Sequence, residues 1–111
     1  MLTEQEMLTI AEKYMSFRSN DTIELIVIDQ LTIKKPYGNI YYSENKEYFN
    51  TGDFKHHIVT GPFLVEKETG RVVNFGTARP LEFYVDEYEK GIMELSLDLY
   101  WYPATEKYSY K

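Results

Sequence analysis

The segment FLVEKETGRVVNF, residues 63–75, admits few conformations. Phe63–Glu66 and Arg71–Phe75 are both rich in β-branched and aromatic residues, and the four residues between them, Lys67, Glu68, Thr69 and Gly70, end in glycine. A type I turn followed by one residue at positive φ is a common short connection between antiparallel strands. Glycine adopts that last conformation without steric cost. The stretch therefore predicts a β-hairpin. A phosphate-binding loop would need a Gly-Lys-Ser/Thr ending that opens directly into a helix, whereas Gly70 is followed by Arg-Val-Val and further strand.

Helices are expected on either side of this hairpin. Met7, Ile10, Ala11 and Tyr14 recur at i, i+3, i+4 and i+7, which predicts a helix over 4–17. Thr3 and Glu6 have the spacing of a capping box, and Leu2 and Met7 that of a hydrophobic staple. Downstream, Leu81, Tyr84, Val85 and Tyr88 repeat the helical stripe, with Thr77 as the expected N-cap, Pro80 in the first turn and Gly91 as a left-handed end.

The remaining segments are read as strands and turns. Residues 23–33, IELIVIDQLTI, are apolar on both faces between Leu25 and Ile28, the pattern of a central strand. KKPYG supplies a turn and NIYY opens another strand. SENKEYFNTGD reads as loop or a short helical turn closed by Gly52. Met93, Leu95, Leu97, Leu99 and Trp101 alternate with polar residues or tyrosines, which predicts a half-buried strand with Trp101 on the core side beside Leu99. Pro103 ends it, and residues 104–111 read as a loosely held tail. The sum is an α+β fold: an N-terminal helix, an antiparallel sheet of four to five strands, and a second helix packed on the sheet.

At 111 residues, without repeat or linker, the chain reads as a single domain. Its 12 basic residues are scattered among 18 acidic ones, giving a net charge of −6. Nucleic acid needs a basic face, so this balance argues against it and favours a protein partner with a basic surface. There is no cysteine, hence no disulfide and no thiolate metal site. The start MLTEQEMLTI lacks the basic and apolar regions of a signal peptide, and no apolar run approaches the roughly 18 residues of a membrane span, so a cytoplasmic location and no membrane partner are expected.

Residues that carry chemistry are sparse. His56 and His57 would point to opposite faces of a strand, so they cannot grip one ion together, and no third ligand has a recognisable spacing. Asp53 is the nearest acidic partner for either ring, and there is no G-x-S-x-G elbow to supply a nucleophile. Glu66 and Glu68 offer carboxylates that the sequence cannot pair for acid–base work. Asp86, Glu87 and Glu89 lie off the apolar stripe of the second helix and form an acidic face suited to a basic partner. Tyrosine is unusually frequent, with 11 copies. Tyr14, Tyr84 and Tyr88 fall on apolar helix faces, while Tyr100 and Tyr102 fall on the polar side of the last strand and Tyr108 and Tyr110 in the tail. Exposed tyrosines suit binding hot spots. The candidate partner-binding residues are therefore Tyr100, Trp101, Tyr102, Asp86, Glu87 and Glu89; no catalytic, cofactor-binding or metal-ligating residue is expected. Competing readings are a non-enzymatic small-ligand-binding or chaperone-like module and a hydrolase built on His56 or His57.

Residues 37–91 resemble the bacterial immunity protein 35 family, small proteins found beside the toxin genes of polymorphic toxin systems. YGNIYYSENKEYFNTGD resembles the family's glycine-started aromatic strand and tyrosine-rich loop. GPFLVEKETGRVVNFGTARPLEFYVDEY is similar to its signature hairpin and closing helix, and LTEQEMLTIAEKYM to its opening helix. Two positions depart from the pattern: Asn39 stands where the family usually has tryptophan, and residues 92–111 extend beyond the usual domain end. The resemblance implies a compact α+β fold, cystatin-like in layout. It also implies no catalysis and no cofactor, and an immunity-type inhibitor that neutralises a cognate toxin by stoichiometric binding.

Overall fold

The structure, a computed structural model, describes residues 1–110. In chain order the elements are α1 (Glu4–Arg18), β1 (Leu25–Val27), β2 (Ile33–Lys35), β3 (Gly38–Tyr41), β4 (Ser43–Asn45), α2 (Lys46–Thr51), β5 (Phe63–Glu66), β6 (Val72–Asn74), α3 (Leu81–Lys90), β7 (Tyr100–Tyr102) and β8 (Lys107–Ser109), with single 3₁₀ turns at Asp29–Leu31 and Phe54–His56. Six strands form one antiparallel sheet in the order β2-β3-β5-β6-β7-β8, and β1 pairs with β4 in a separate ribbon.

The capping box starts α1 as expected: the Glu6 N–H donates to Thr3 Oγ1 at 3.1 Å, and the Thr3 N–H donates to Glu6 Oε1 at 2.9 Å. The hairpin is present as well. Gly70 has φ +76°, and its N–H donates to the Glu66 carbonyl at 2.8 Å. The N-terminus closes over this turn: the Leu2 N–H donates to the Lys67 carbonyl at 2.8 Å, and a Cβ at position 70 would lie 3.0 Å from Ile10 Cδ1.

Successive side chains of a strand leave on opposite faces, and here both faces are covered. Tyr41, Phe63, Val65, Val72 and Trp101 pack with Met7, Ala11, Tyr14 and Met15 of α1. Ile40, Leu64, Val73 and Phe75 pack with Leu81, Tyr84, Val85 and Tyr88 of α3. The sheet is thus sandwiched between two helices, with a separate core on each side.

Several expectations are corrected. Residues 23–33 are not one central strand: a 3₁₀ turn at Asp29–Leu31 divides them, β1 leaves for the small ribbon, and β2 forms one edge of the large sheet. The strand expected over 93–101 is only Tyr100–Tyr102. Alternation fixes a strand only where a neighbour supplies a ladder, and β6 offers just Val72 and Val73 opposite Trp101 and Tyr100. Leu95 and Leu97 are accordingly exposed, and Leu99 faces the α3 core, opposite to Trp101. The supposed tail supplies β8, so the sheet has six strands rather than four or five. Pro80, not Thr77, precedes α3, and it gives no side-chain cap; Gly91 ends the helix at φ +69°.

Candidate functional site

Glu66, at the end of β5 on the α3 side, is a densely hydrogen-bonded polar group. Its carboxylate is buried and receives four donors: Arg71 Nε on Oε1 at 2.8 Å, Arg71 Nη2 on Oε2 at 2.9 Å, the Thr69 hydroxyl on Oε1 at 2.9 Å and the Tyr88 hydroxyl on Oε2 at 2.5 Å. Burial alone raises its pKa, but the hydrogen bonds from Arg71, Tyr88 and Thr69 outweigh burial and hold the carboxyl below the usual range. The hydrogen bond to Glu66 in turn raises Arg71, and burial followed by the Glu66 contact raises Tyr88. Tyr37 packs beside Tyr88 with ring centroids 5.1 Å apart and donates to Glu89 at 2.6 Å. A carboxylate held ionised at neutral pH and bonded at both oxygens has no proton to give as an acid there. This arrangement clasps α3 to the sheet.

The expected partner-binding residues are not brought together. Trp101 is fully buried, with its ring centroid 4.9 Å from Tyr14 and 5.3 Å from Phe17, so it cannot serve as a surface contact. Its placement on β7, facing α1, is the physical reason. Tyr100 is half-buried under the Arg71 guanidinium, 3.8 Å from the ring centroid, and Tyr102 hydrogen-bonds Arg71; both sheathe the ion pair. Asp86, Glu87 and Glu89 do not share one face either. Asp86 and Glu89 flank a groove between α3 and β2, with Asp86 bridged to Lys90 at 3.0 Å. Glu87 lines a different cleft on the opposite flank, toward Met93 and Glu94.

A larger feature lies around residues 42–60. An open pocket of about 550 Å³ is bounded by β4, α2 and the Leu31 turn, with Tyr42, Tyr48, Phe49, Ile58 and Val59 among its lining residues. Large apolar side chains stand out around it: Leu31 and Phe49 are about half exposed, while Phe54 and Val59 reach 75% and 78%. Its polar centre is His57, whose Nδ1 lies 2.8 Å from Glu44 Oε1 while the ring stacks on Phe54. Glu44 Oε2 accepts from the Asn45 and Ile58 N–H groups at 2.9 and 3.2 Å. Glu44, not Asp53, is thus the acidic partner of His57; Asp53 accepts from the Lys55 N–H at the start of the 3₁₀ turn. Ser43 and Thr60 also line the pocket, but their hydroxyls bond one another and the Ser43 carbonyl rather than His57, so neither is set up as a nucleophile for the oriented imidazole. Among the described residues no group of three or more His, Asp or Glu is placed to hold a metal ion, and no helix is long and apolar enough to cross a membrane.

Sequence reasoning missed this patch because Phe49, Phe54 and Val59 follow no period. The available signal was large apolar residues inside a polar, irregular segment. The chain is 30% identical over 90 residues to the uncharacterized protein YrhB of Escherichia coli (strain K12), an alignment that spans 80% of the chain and 90% of YrhB. The chain belongs to the YrhB family. No protein-family model and no solved structure matches it.

Proposed function

We propose that the chain is a non-enzymatic binding protein of the immunity type, which neutralises a cognate bacterial toxin in the cytoplasm by one-to-one association. The observation that carries this reading is the apolar surface around Leu31, Phe49, Phe54 and Val59. Contiguous exposed apolar area rimmed by polar groups is characteristic of recognition surfaces. The resemblance to the immunity protein 35 family supplies the class of partner. The saturated Glu66 cluster, and a His57–Glu44 pair to which neither Ser43 nor Thr60 is bonded, are compatible with a protein that works by presenting a surface.

The test is co-expression with a candidate toxin encoded beside the chain's own gene. A stable one-to-one complex and rescue of growth are expected, with Phe49→Ser/Val59→Ser weakening both. Growth arrest that persists at full expression of the folded protein, with no complex on gel filtration, would refute the reading. A second reading, a small-ligand-binding module, is favoured by the pocket volume and the convergence of His57, Glu44, Ser43 and Thr60 on it. Ligand-dependent stabilisation of the isolated protein, abolished by Val59→Trp, is its signature.

A further inference from the structure

We propose that the outer edge of β2, with the groove between β2 and α3, receives an extended segment of the protein partner whose groove-facing side chains are apolar and basic. The inference rests on the binding function proposed above and names the chemistry the partner brings.

Three observations meet at this edge. First, among the described residues β2 is paired with β3 alone, in the register Ile33↔Ile40 and Lys35↔Gly38. One row of its main-chain N–H and C=O groups therefore faces outward, which is the template that strand addition uses. Second, the groove beside this edge is built to take side chains. Ile33, Ile40, Leu81 and Val85 line a cleft of about 360 Å³, and an added strand presents every second residue to it.

Third, the charges at the cleft are unbalanced. Glu82, Asp86 and Glu89 are set against Lys35 on the groove and Lys90 beside it. Lys90 is engaged by Asp86 through a pair that is solvent-exposed at both ends. Residues two apart in an added strand lie about 7 Å from one another on the same face, so an apolar side chain set against Ile33 and Val85 can be followed by one directed at the carboxylates that line the same groove. Lysine or arginine satisfies that position and acidic residues do not.

The same edge leads to the apolar patch, because Leu31, just before β2, lines the neighbouring pocket. β2 is three residues long, carries Lys34 and Lys35 and is followed by Pro36. A second copy of this edge would set Lys34 and Lys35 against the same lysines, which argues against self-pairing.

The experiment is a titration of the full chain, followed by backbone amide NMR, with a short blocked peptide of alternating lysine and valine. A glutamate–valine peptide of equal length is the control. Expected are saturable changes at Ile33–Lys35, Leu81 and Val85 with the lysine peptide only, and binding about tenfold weaker for Glu82→Lys/Asp86→Lys. Both substituted side chains are exposed, and Trp101 fluorescence checks that the variant is folded. Equal binding of the glutamate peptide, changes centred on Phe49 and Val59 instead, an unaltered affinity in the double variant, or self-association through β2 without peptide would each overturn the proposal. A toxin neutralised equally by the wild type and the double variant removes the groove while leaving the immunity function. Peptide binding at β2 without any neutralised toxin upholds the groove and removes that function.

Discussion

Glu66 is a carboxylate that a strand pattern would assign to solvent and that the fold instead buries on the α3 side of the sheet. Breaking a buried ion pair from one side costs about 3–5 kcal/mol. Because the Arg71 side chain keeps about a quarter of its surface exposed, Arg71→Ala is expected at the lower end, about 3 kcal/mol by urea denaturation. The apolar pair Glu66→Leu/Arg71→Leu should lose less than Arg71→Ala alone. The pH dependence follows from the directions of the shifts. Glu66 has a depressed folded pKa, so its contribution is present above the unfolded carboxylate value of about 4.3 and is lost as pH falls through the folded value. Denaturant midpoints should therefore drop in acid below about pH 4, and Glu66→Gln should flatten that drop. Tyr14, Tyr37 and Tyr88 are raised, chiefly by burial, so their contribution holds up to about pH 10 and is lost as pH rises through their folded values. In a near-UV titration these three should ionise together with unfolding. The core role of Tyr14 and Tyr88 was legible from helical spacing; the Glu66–Tyr88 contact was not, because its partners lie 22 residues apart in sequence.

At the level of elements, what periodicity and turn chemistry dictate is what the sequence discloses. Both long helices, the capping box, Gly70 and Gly91 were readable because each depends on neighbours within a few residues. The two glycines make a graded test. Both have positive φ, but only Gly70 has side chains close to where a Cβ would stand, Ile10 Cδ1 at 3.0 Å and Leu2 Cδ1 at 3.3 Å. Gly91→Ala should cost about 1 kcal/mol from backbone strain, and Gly70→Ala roughly 2 kcal/mol as strain and crowding combine. Thermal melts of the two variants measure the order. The extent of β7 and the pairing of β8 escaped the sequence because ladder partners, not alternation, set them: Tyr108 sits opposite Trp101 only once the turn at 103–106 has formed.

Taken as a whole, the molecule has two cores separated by one sheet, and a hint of this was present in the unbroken apolar runs Phe63-Leu64-Val65 and Val72-Val73, which have no solvent face. Which helix covers which side was not available without the sheet order. Residues 92–110 belong to this body, since β7 brings Trp101 into the α1 core and β8 completes that edge. A chain ended after Gly91 is therefore expected to lack a cooperative urea transition and the helical circular dichroism of the full chain. Each large side chain fully buried contributes about 1.5–3 kcal/mol, and typical total stabilities are only about 5–15 kcal/mol.

The two helices are also attached by different means. α1 adheres through aromatic and aliphatic contact around Tyr14, Phe63 and Trp101, with hydrogen bonds from Asn39 to Glu4, from Tyr14 to Asn74 and from Lys13 to the Pro103 carbonyl at its surface, while α3 is fastened by the buried, ionised Glu66, reached through Tyr88. Acid thus acts as a selective solvent for one layer: as Glu66 gains its proton, amide exchange should quicken along 81–90 well before the indole of Trp101 meets water, so the protein would open like a book whose spine is α1.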